Sequence, residues 1–255
     1  MSERNTSRQP DHYSYTFYAD PDNARAFDAR RFGGPIGDLV AHGQADVLLR
    51  FLGDVRGQTV LDVGTGTGRA AFLIAGRGAA VTGVDASEEM LAVARERAAT
   101  QQAPIEFARG DAHALAFPDR SFDVAVSLRV LMHTPRWGTC VDELCRVSRH
   151  RVILDYPSMH SAALVQSLGR KIKFALGGQT EPYRVFASHQ IAAALARNKF
   201  RIVEAHRQFV LPIALHKAVG SPGFTAASER VLAAMGLARL LGSPVTVVAE
   251  RCASS

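Results

Sequence analysis

The sequence predicts an α/β fold, a mostly parallel sheet with helices on both faces. Three observations predict it. The stretch from Val60 to Arg69, V-L-D-V-G-T-G-T-G-R, is a strand-like apolar run that breaks into alternate glycines and then into the helix-like R-A-A-F-L-I-A. The order then repeats: A-A-V-T-G-V-D, ending at Asp85, is an apolar run closed by an acid, and a helical pattern follows. At 255 residues and 47% hydrophobic, the chain has the size and apolar content of one such domain with an added arm or cap. Strand, turn and helix in succession are the unit of a parallel sheet, because parallel neighbours need a crossover between them.

Taken in order, residues 1 to about 15 are polar, and an aromatic and arginine-rich arm follows, with Tyr13, Tyr15, Phe17, Tyr18, Phe27, Arg30, Arg31 and Phe32. The turn Gly33-Gly34-Pro35 breaks it. Leu39, Val40, Val47, Leu48 and Leu52 then recur at broadly helical spacing. The arm has two open readings, a fold over a ligand pocket or packing on the sheet edge. Residues 1–52 are taken as arm and helix, 53–157 as the ligand-binding half and 158–255 as the second half of a single globular domain.

The glycine turn between strand and helix brings backbone N–H groups towards a nucleotide-like ligand, and glycine lets the backbone come close. Its spacing separates candidate ligands. The dinucleotide fingerprint is G-x-G-x-x-G. Counted from Gly64, Arg69 stands where the third glycine would fall; counted from Gly66, the pattern ends at Ala71. Asp62 is the stronger discriminator. A carboxylate two residues before the turn repels a pyrophosphate but suits a ligand with a ribose, an ammonium and a sulfonium. This D-x-G-x-G-x-G turn resembles motif I of the class I S-adenosylmethionine (SAM) methyltransferases. A purely structural turn and an NAD(P)-dependent oxidoreductase are the competing readings.

The first helix reaches about residue 75, where Gly76 and Gly78 end it. Strand two ends at Asp85, about 20 residues past the turn, the usual interval for a ribose-binding acid. Ser87 is a plausible N-cap for the next helix, with Glu88 and Glu89 in its first turn and Arg95 and Arg97 near its end, the charge order the helix dipole favours. Pro104 to His113 reads as strand three with its exit loop. F117-P-D-R-S-F-D-V-A-V-S127 reads as loop, turn and strand four, and L128-R-V-L-M-H-T-P-R-W137 is the loop beyond it. The F-P-D-x-S-F-D element is similar to that of the type 11 methyltransferases. W137-G-T-C-V-D-E-L-C-R-V-S148 is a helix and Arg151 to Pro157 strand five; the Pro-Gly-Gly turn usual in that family is replaced by S148-R-H-R151.

Residues 158–183 read as an insertion. Val165, Leu168, Ile172 and Leu176 line one helical stripe, with Arg170, Lys171 and Lys173 on the other faces. Its open readings are a packed helix, a substrate lid or a contact with a membrane surface. A helix over 189–200, a strand over 201–211, the segment Pro212 to Val219, a helix over 225–241 and a strand over 243–251 complete the chain. The resemblance implies a Rossmann-like seven-stranded sheet, with the last strand antiparallel between the fifth and sixth.

It also implies SAM as cofactor and S-adenosylhomocysteine (SAH) as product. The cofactor-binding residues are then expected at Asp62, Gly64, Thr65, Gly66, Gly68, Asp85, Ala86, Met90, Asp111, Ala112, Leu128 and Arg129. Asp111 and Ala112 stand where the family holds the adenine. His133, past strand four and with an unperturbed pKa near neutrality, is the candidate general base. Tyr18, Tyr183 and His189 are candidate substrate contacts. The strand-four loop S127-L-R-V130 lacks the [DN]-P-P-[YF] grip on planar amines, and it has no cysteine nucleophile. No metal site is expected, since no Asp/Glu/His trio suggests one. These exclusions favour O- or C-methylation of a small-molecule acceptor, lipophilic and glycosidic ones included. The alternative is a non-catalytic SAM-binding partner or a methyltransferase of protein or RNA.

The formal net charge is +6, with basic residues spread along the chain. Nucleic acid is not an expected partner, and a peripheral membrane contact stays open. Cys140, Cys145 and Cys252 form no even disulfide set and read as reduced thiols. No apolar stretch of signal-peptide or membrane-spanning length is seen, so a cytoplasmic location is expected. The oligomeric state is not legible.

Overall fold

The computed structural model describes residues 20–161, 167, 169 and 184–253. Tyr18, Tyr183 and most of the amphipathic helix expected within 158–183 lie outside the described residues.

The aromatic arm contains a helix, α1 (Pro21–Phe32). Asp20 starts it, its Oδ1 accepting the N–H groups of Asp22 and Asn23 at 2.9 Å, and Pro21 fills a first-turn position that needs no donor. After Gly33 comes α2 (Gly34–Leu52), which buries Val47, Leu48, Phe51 and Leu52.

The alternating units follow as β1 (Thr59–Val63), α3 (Arg69–Ala75), β2 (Ala80–Asp85), α4 (Glu88–Gln101), β3 (Ile105–Arg109) and β4 (Phe122–Ser127). Ser87 caps α4, its Oγ accepting the Met90 N–H at 3.1 Å. A short 3₁₀ turn, Leu131–His133, precedes α5 (Trp137–Val147) and β5 (Ser148–Tyr156). The second half holds α6 (Ser188–Arg197), β6 (Phe200–Phe209), α7 (Ile213–Val219), α8 (Pro222–Ala234), α9 (Leu237–Leu241) and β7 (Ser243–Arg251).

These strands form one seven-stranded sheet of order β3-β2-β1-β4-β5-β7-β6. β7 runs antiparallel to both β5 and β6 and the other pairings are parallel, as the sequence resemblance implied. The two faces alternate along each strand. Leu61, Ala125, Val152 and Leu154 enter one core beside α5 and α6. Val60, Val124, Val126 and Ile153 enter the other, beneath α2 and α3. Successive residues point to opposite faces and helices cover both, which is why these central strands read as continuous hydrophobic runs.

Besides shifts of a few residues at the ends of α6, β6 and α8, two elements differ from the sequence expectation. α5 passes directly into β5, which begins at Ser148 rather than Arg151. The S-R-H-R segment is sheet: Ser148 pairs with Phe122, and the Arg151 guanidinium donates to the Leu52 carbonyl at 2.7 Å. The helix expected over 225–241 is two helices, broken at Gly236, whose φ of 78° is a left-handed conformation that glycine takes without steric cost.

Candidate active site

At the carboxyl ends of β1, β2 and β4 the sheet order reverses, and helices lead away on opposite faces. A cleft opens at such a point in open α/β sheets. Here it encloses about 1360 Å³ of free space, its mouth included.

Its floor is the glycine turn. Gly64, Gly66 and Gly68 have φ of 73°, 55° and 86°. A Cβ on Gly64 would stand 2.1 Å from Val130 Cγ2, so the turn after β1 and the loop after β4 can approach only because that residue is glycine. Ser127 Oγ closes the same gap one step back by donating to the Val63 carbonyl at 3.0 Å.

Asp62 lines the cleft but is buried, and Thr65 Oγ1 donates to its Oδ2 at 2.7 Å. Burial pushes its carboxyl up to about 6; the Thr65 hydroxyl bond opposes this in part, and the nearby Asp85 charge adds to it. Asp85, at the end of β2, accepts the Gly66 N–H on Oδ2 at 2.8 Å and the Ser87 N–H on Oδ1 at 2.9 Å. Burial raises its pKa as well, while these N–H bonds favour the charged form. Backbone donors, the Ala86 N–H among them, fix the carboxylate so that its two oxygens stand side by side at the cleft wall. Two hydroxyls on adjacent carbons match that geometry.

On the next side, Asp111 Oδ1 accepts the His113 N–H at 2.9 Å and faces His113 Nδ1 at 2.6 Å. His113 is buried and its Nε2 has no partner among the described residues. The loop is held from below: Leu115 N–H donates to Glu143 at 2.7 Å, and the Arg146 guanidinium donates to the carbonyls of Leu115 and Phe117 at 2.9 and 2.7 Å. Across the cleft stand Leu128, Arg129, Val130 and His133. Arg129 has a φ of 64°, strained for a residue with a side chain, and its N–H donates to Asp155, which is buried at the end of β5. Burial raises the Asp155 pKa, and the charges of Arg129 and Arg31 pull it back.

The structure therefore brings to one cleft Asp62, Gly64, Thr65, Gly66, Asp85, Ala86, Met90, Asp111, Ala112, Leu128, Arg129 and His133. Gly68 is not among the lining residues. It starts α3, and a Cβ there would press on Phe72 at 2.9 Å and Phe107 at 3.3 Å, so its glycine serves packing. His189 is exposed on α6 and is not among the lining residues either.

The lining also takes in α1 and α2: Phe27, Arg31 and Phe32 from the aromatic arm, one of whose two readings was a fold over a ligand pocket, and Asp28, Gln44 and Leu48, which the sequence does not mark as lining. Asp28 accepts the Thr67 hydroxyl at 3.0 Å and pairs with Arg97 at 2.6 Å, tying α1 to the glycine turn and to α4. Arg69 stacks over the Phe32 ring at 3.7 Å. The arginine that replaces the third glycine of a dinucleotide turn thus also packs on the arm. Among the described residues no group of three or more His, Cys, Asp or Glu is placed to hold a metal ion.

Residues 61–154 match the family model described as a methyltransferase domain. Over 192 residues, 68% of each chain, the sequence is 30% identical to the ubiquinone/menaquinone biosynthesis C-methyltransferase UbiE of a Bradyrhizobium species. It is 42% identical over 98 residues to a phosphatidylethanolamine N-methyltransferase of Cereibacter sphaeroides, a match that spans 38% of this chain and about half, 48%, of that relative's length. Among solved structures, magnesium protoporphyrin IX methyltransferase of Synechocystis PCC 6803 with bound SAH has the same fold, with a TM-score of 0.65, 21% identity and coverage of 93% of this chain and 99% of that one.

Proposed function

Because the chain belongs to the class I SAM-dependent methyltransferase family, we propose that it transfers the methyl group of SAM to a small lipophilic acceptor through an ionisable hydroxyl or the carbon beside it. The observation that carries this reading is the joint placement of the Asp85 carboxylate, held at the end of β2 by backbone N–H groups, and His133 on the walls of one largely apolar cleft. Asp85 would hold the ribose diol, Asp111 with Ala112 the adenine, and Asp62, through Thr65, the glycine turn around the methionine end. SAM supplies a sulfonium-bound methyl, an electrophile that needs little activation. The protein's part is orientation and exclusion of water.

Phe27, Phe32, Leu48, Leu73, Leu128 and Val130 give the remaining wall an apolar character suited to a lipophilic acceptor. His133 would take the acceptor's hydroxyl proton, and Arg129 would stabilise the resulting oxyanion. The relatives support this class of acceptor, since their names specify a quinone precursor and a phospholipid.

The test is transfer of radiolabelled methyl from SAM into a lipid extract, followed by separation of the extract into quinol, phospholipid and glycolipid fractions. Label in one lipid fraction that depends on Asp85 supports the reading. Label only in protein or RNA refutes it.

A further inference from the structure

Nine large hydrophobic residues are exposed among the described residues, and seven of them fall between positions 215 and 241. Leu215 and Val219 share a stripe of α7. Phe224, Val231 and Met235 recur at i, i+7 and i+11 along α8 and its end, so they too share one stripe. Leu240 and Leu241 extend the surface on α9. Val231, Met235 and Leu240 are 59%, 68% and 66% exposed among the described residues, a contiguous apolar exposure of the kind that marks an interaction surface.

Cations predominate on these helices. Lys217, Arg230 and Arg239 are exposed, and the single acid of residues 212–242 is Glu229. Glu229 does not face them with a free charge. Its carboxylate accepts the N–H groups of Val210 and Leu211 at 2.8 and 2.9 Å and lies 2.9 Å from Nε2 of the buried His216. Residues 212–242 therefore present apolar side chains with an excess of exposed cations. This surface also adjoins the cleft: Lys217 Nζ donates to the Arg31 carbonyl at 3.1 Å, and Arg31 is part of the cleft wall.

We infer that the α7–α9 face docks on an anionic lipid surface, with the apolar stripes entering the headgroup boundary and the three cations meeting lipid phosphates. Charge selects this occupant. A second copy docked through the same face by two-fold symmetry would set these cations against one another, whereas anionic lipid complements them. Amphipathic helices with this separation of apolar and basic residues bind in the plane of the interface. The inference rests on α7–α9 alone and stands whether or not the acceptor is a lipid.

The test is co-sedimentation of the full chain with phosphatidylcholine vesicles and with vesicles that also contain phosphatidylglycerol. The chain should sediment with the anionic vesicles, and molar salt should release it as screening shortens. The triple variant Val231→Glu, Met235→Glu, Leu240→Glu should bind at least tenfold more weakly. Arg230→Gln with Arg239→Gln should lose roughly fivefold per cation. All five positions are exposed, and SAH affinity should be unchanged in both variants, which checks the fold independently of vesicle binding. Absence of sedimentation with anionic vesicles, or equal sedimentation of the triple variant, overturns the inference. So does a concentration-dependent dimer in analytical ultracentrifugation that the triple variant dissolves, an outcome that assigns the face to a second copy.

Discussion

The carboxylates of the cleft differ in what they already bind, and that difference sets their expected behaviour. Asp85 is held by backbone N–H groups, those of Gly66 and Ser87 among them, and lines the cleft wall. Asp85→Ala should weaken SAH binding at least roughly tenfold in a calorimetric titration, since two charge-assisted bonds of about 1.5–3 kcal/mol each are lost. Asp62 is buried and titrates near 6, above its unfolded value of 3.8. The sign follows from that direction. The native state binds the proton more tightly, so the stability from protonated Asp62 is present below about pH 4 and is lost as pH rises through about 6. The loss is on the order of 3 kcal/mol. Urea midpoints at several pH values should therefore fall less steeply with pH in Asp62→Asn than in the native chain; equal slopes would assign the effect to other groups. For His133→Ala, methyl-transfer rate should drop by roughly 10²–10⁴-fold with SAH affinity kept. A variant with full turnover would show that the acceptor needs no base from this position.

At the scale of elements, the legible and the hidden parts divide by the range of the forces that fix them. β1, the glycine turn, β2 and the cap of α4 were readable because apolar runs, glycine conformation and Ser87 capping are local. α1 was not, because its apolar residues form no single stripe. It is held by Asp28 to Thr67 and Arg97, and by Arg69 stacked on Phe32, contacts that span 37 to 69 residues of sequence. The break at Gly236 was hidden because glycine inside a helical pattern is tolerated, and only its φ reveals the turn. Asp28→Ala should release α1: amide hydrogen exchange across Pro21–Phe32 should quicken by at least tenfold, while exchange in β1 and β4 stays unchanged. Unchanged protection in α1 would mean that packing on α4 alone holds it.

At the scale of the whole molecule, one reversal of strand order explains where the site lies. β1 leads to β2 on one side and β4 on the other, and the turn after β1 meets the loop after β4 at Gly64 and Val130. That junction was anticipated from D-x-G-x-G-x-G and Asp85, because the ligand's ribose and ammonium dictate an acid at each strand end. The sequence leaves open whether the aromatic arm covers the cleft or packs on the sheet edge, since α1 and α2 reach the cleft by tertiary packing. The central claim is that this junction binds SAM rather than a dinucleotide. Calorimetric titration of the purified chain with SAH, with NADH in parallel, tests it most directly. Micromolar binding of SAH with no heat from NADH is the expected result, and binding of NADH alone would contradict it.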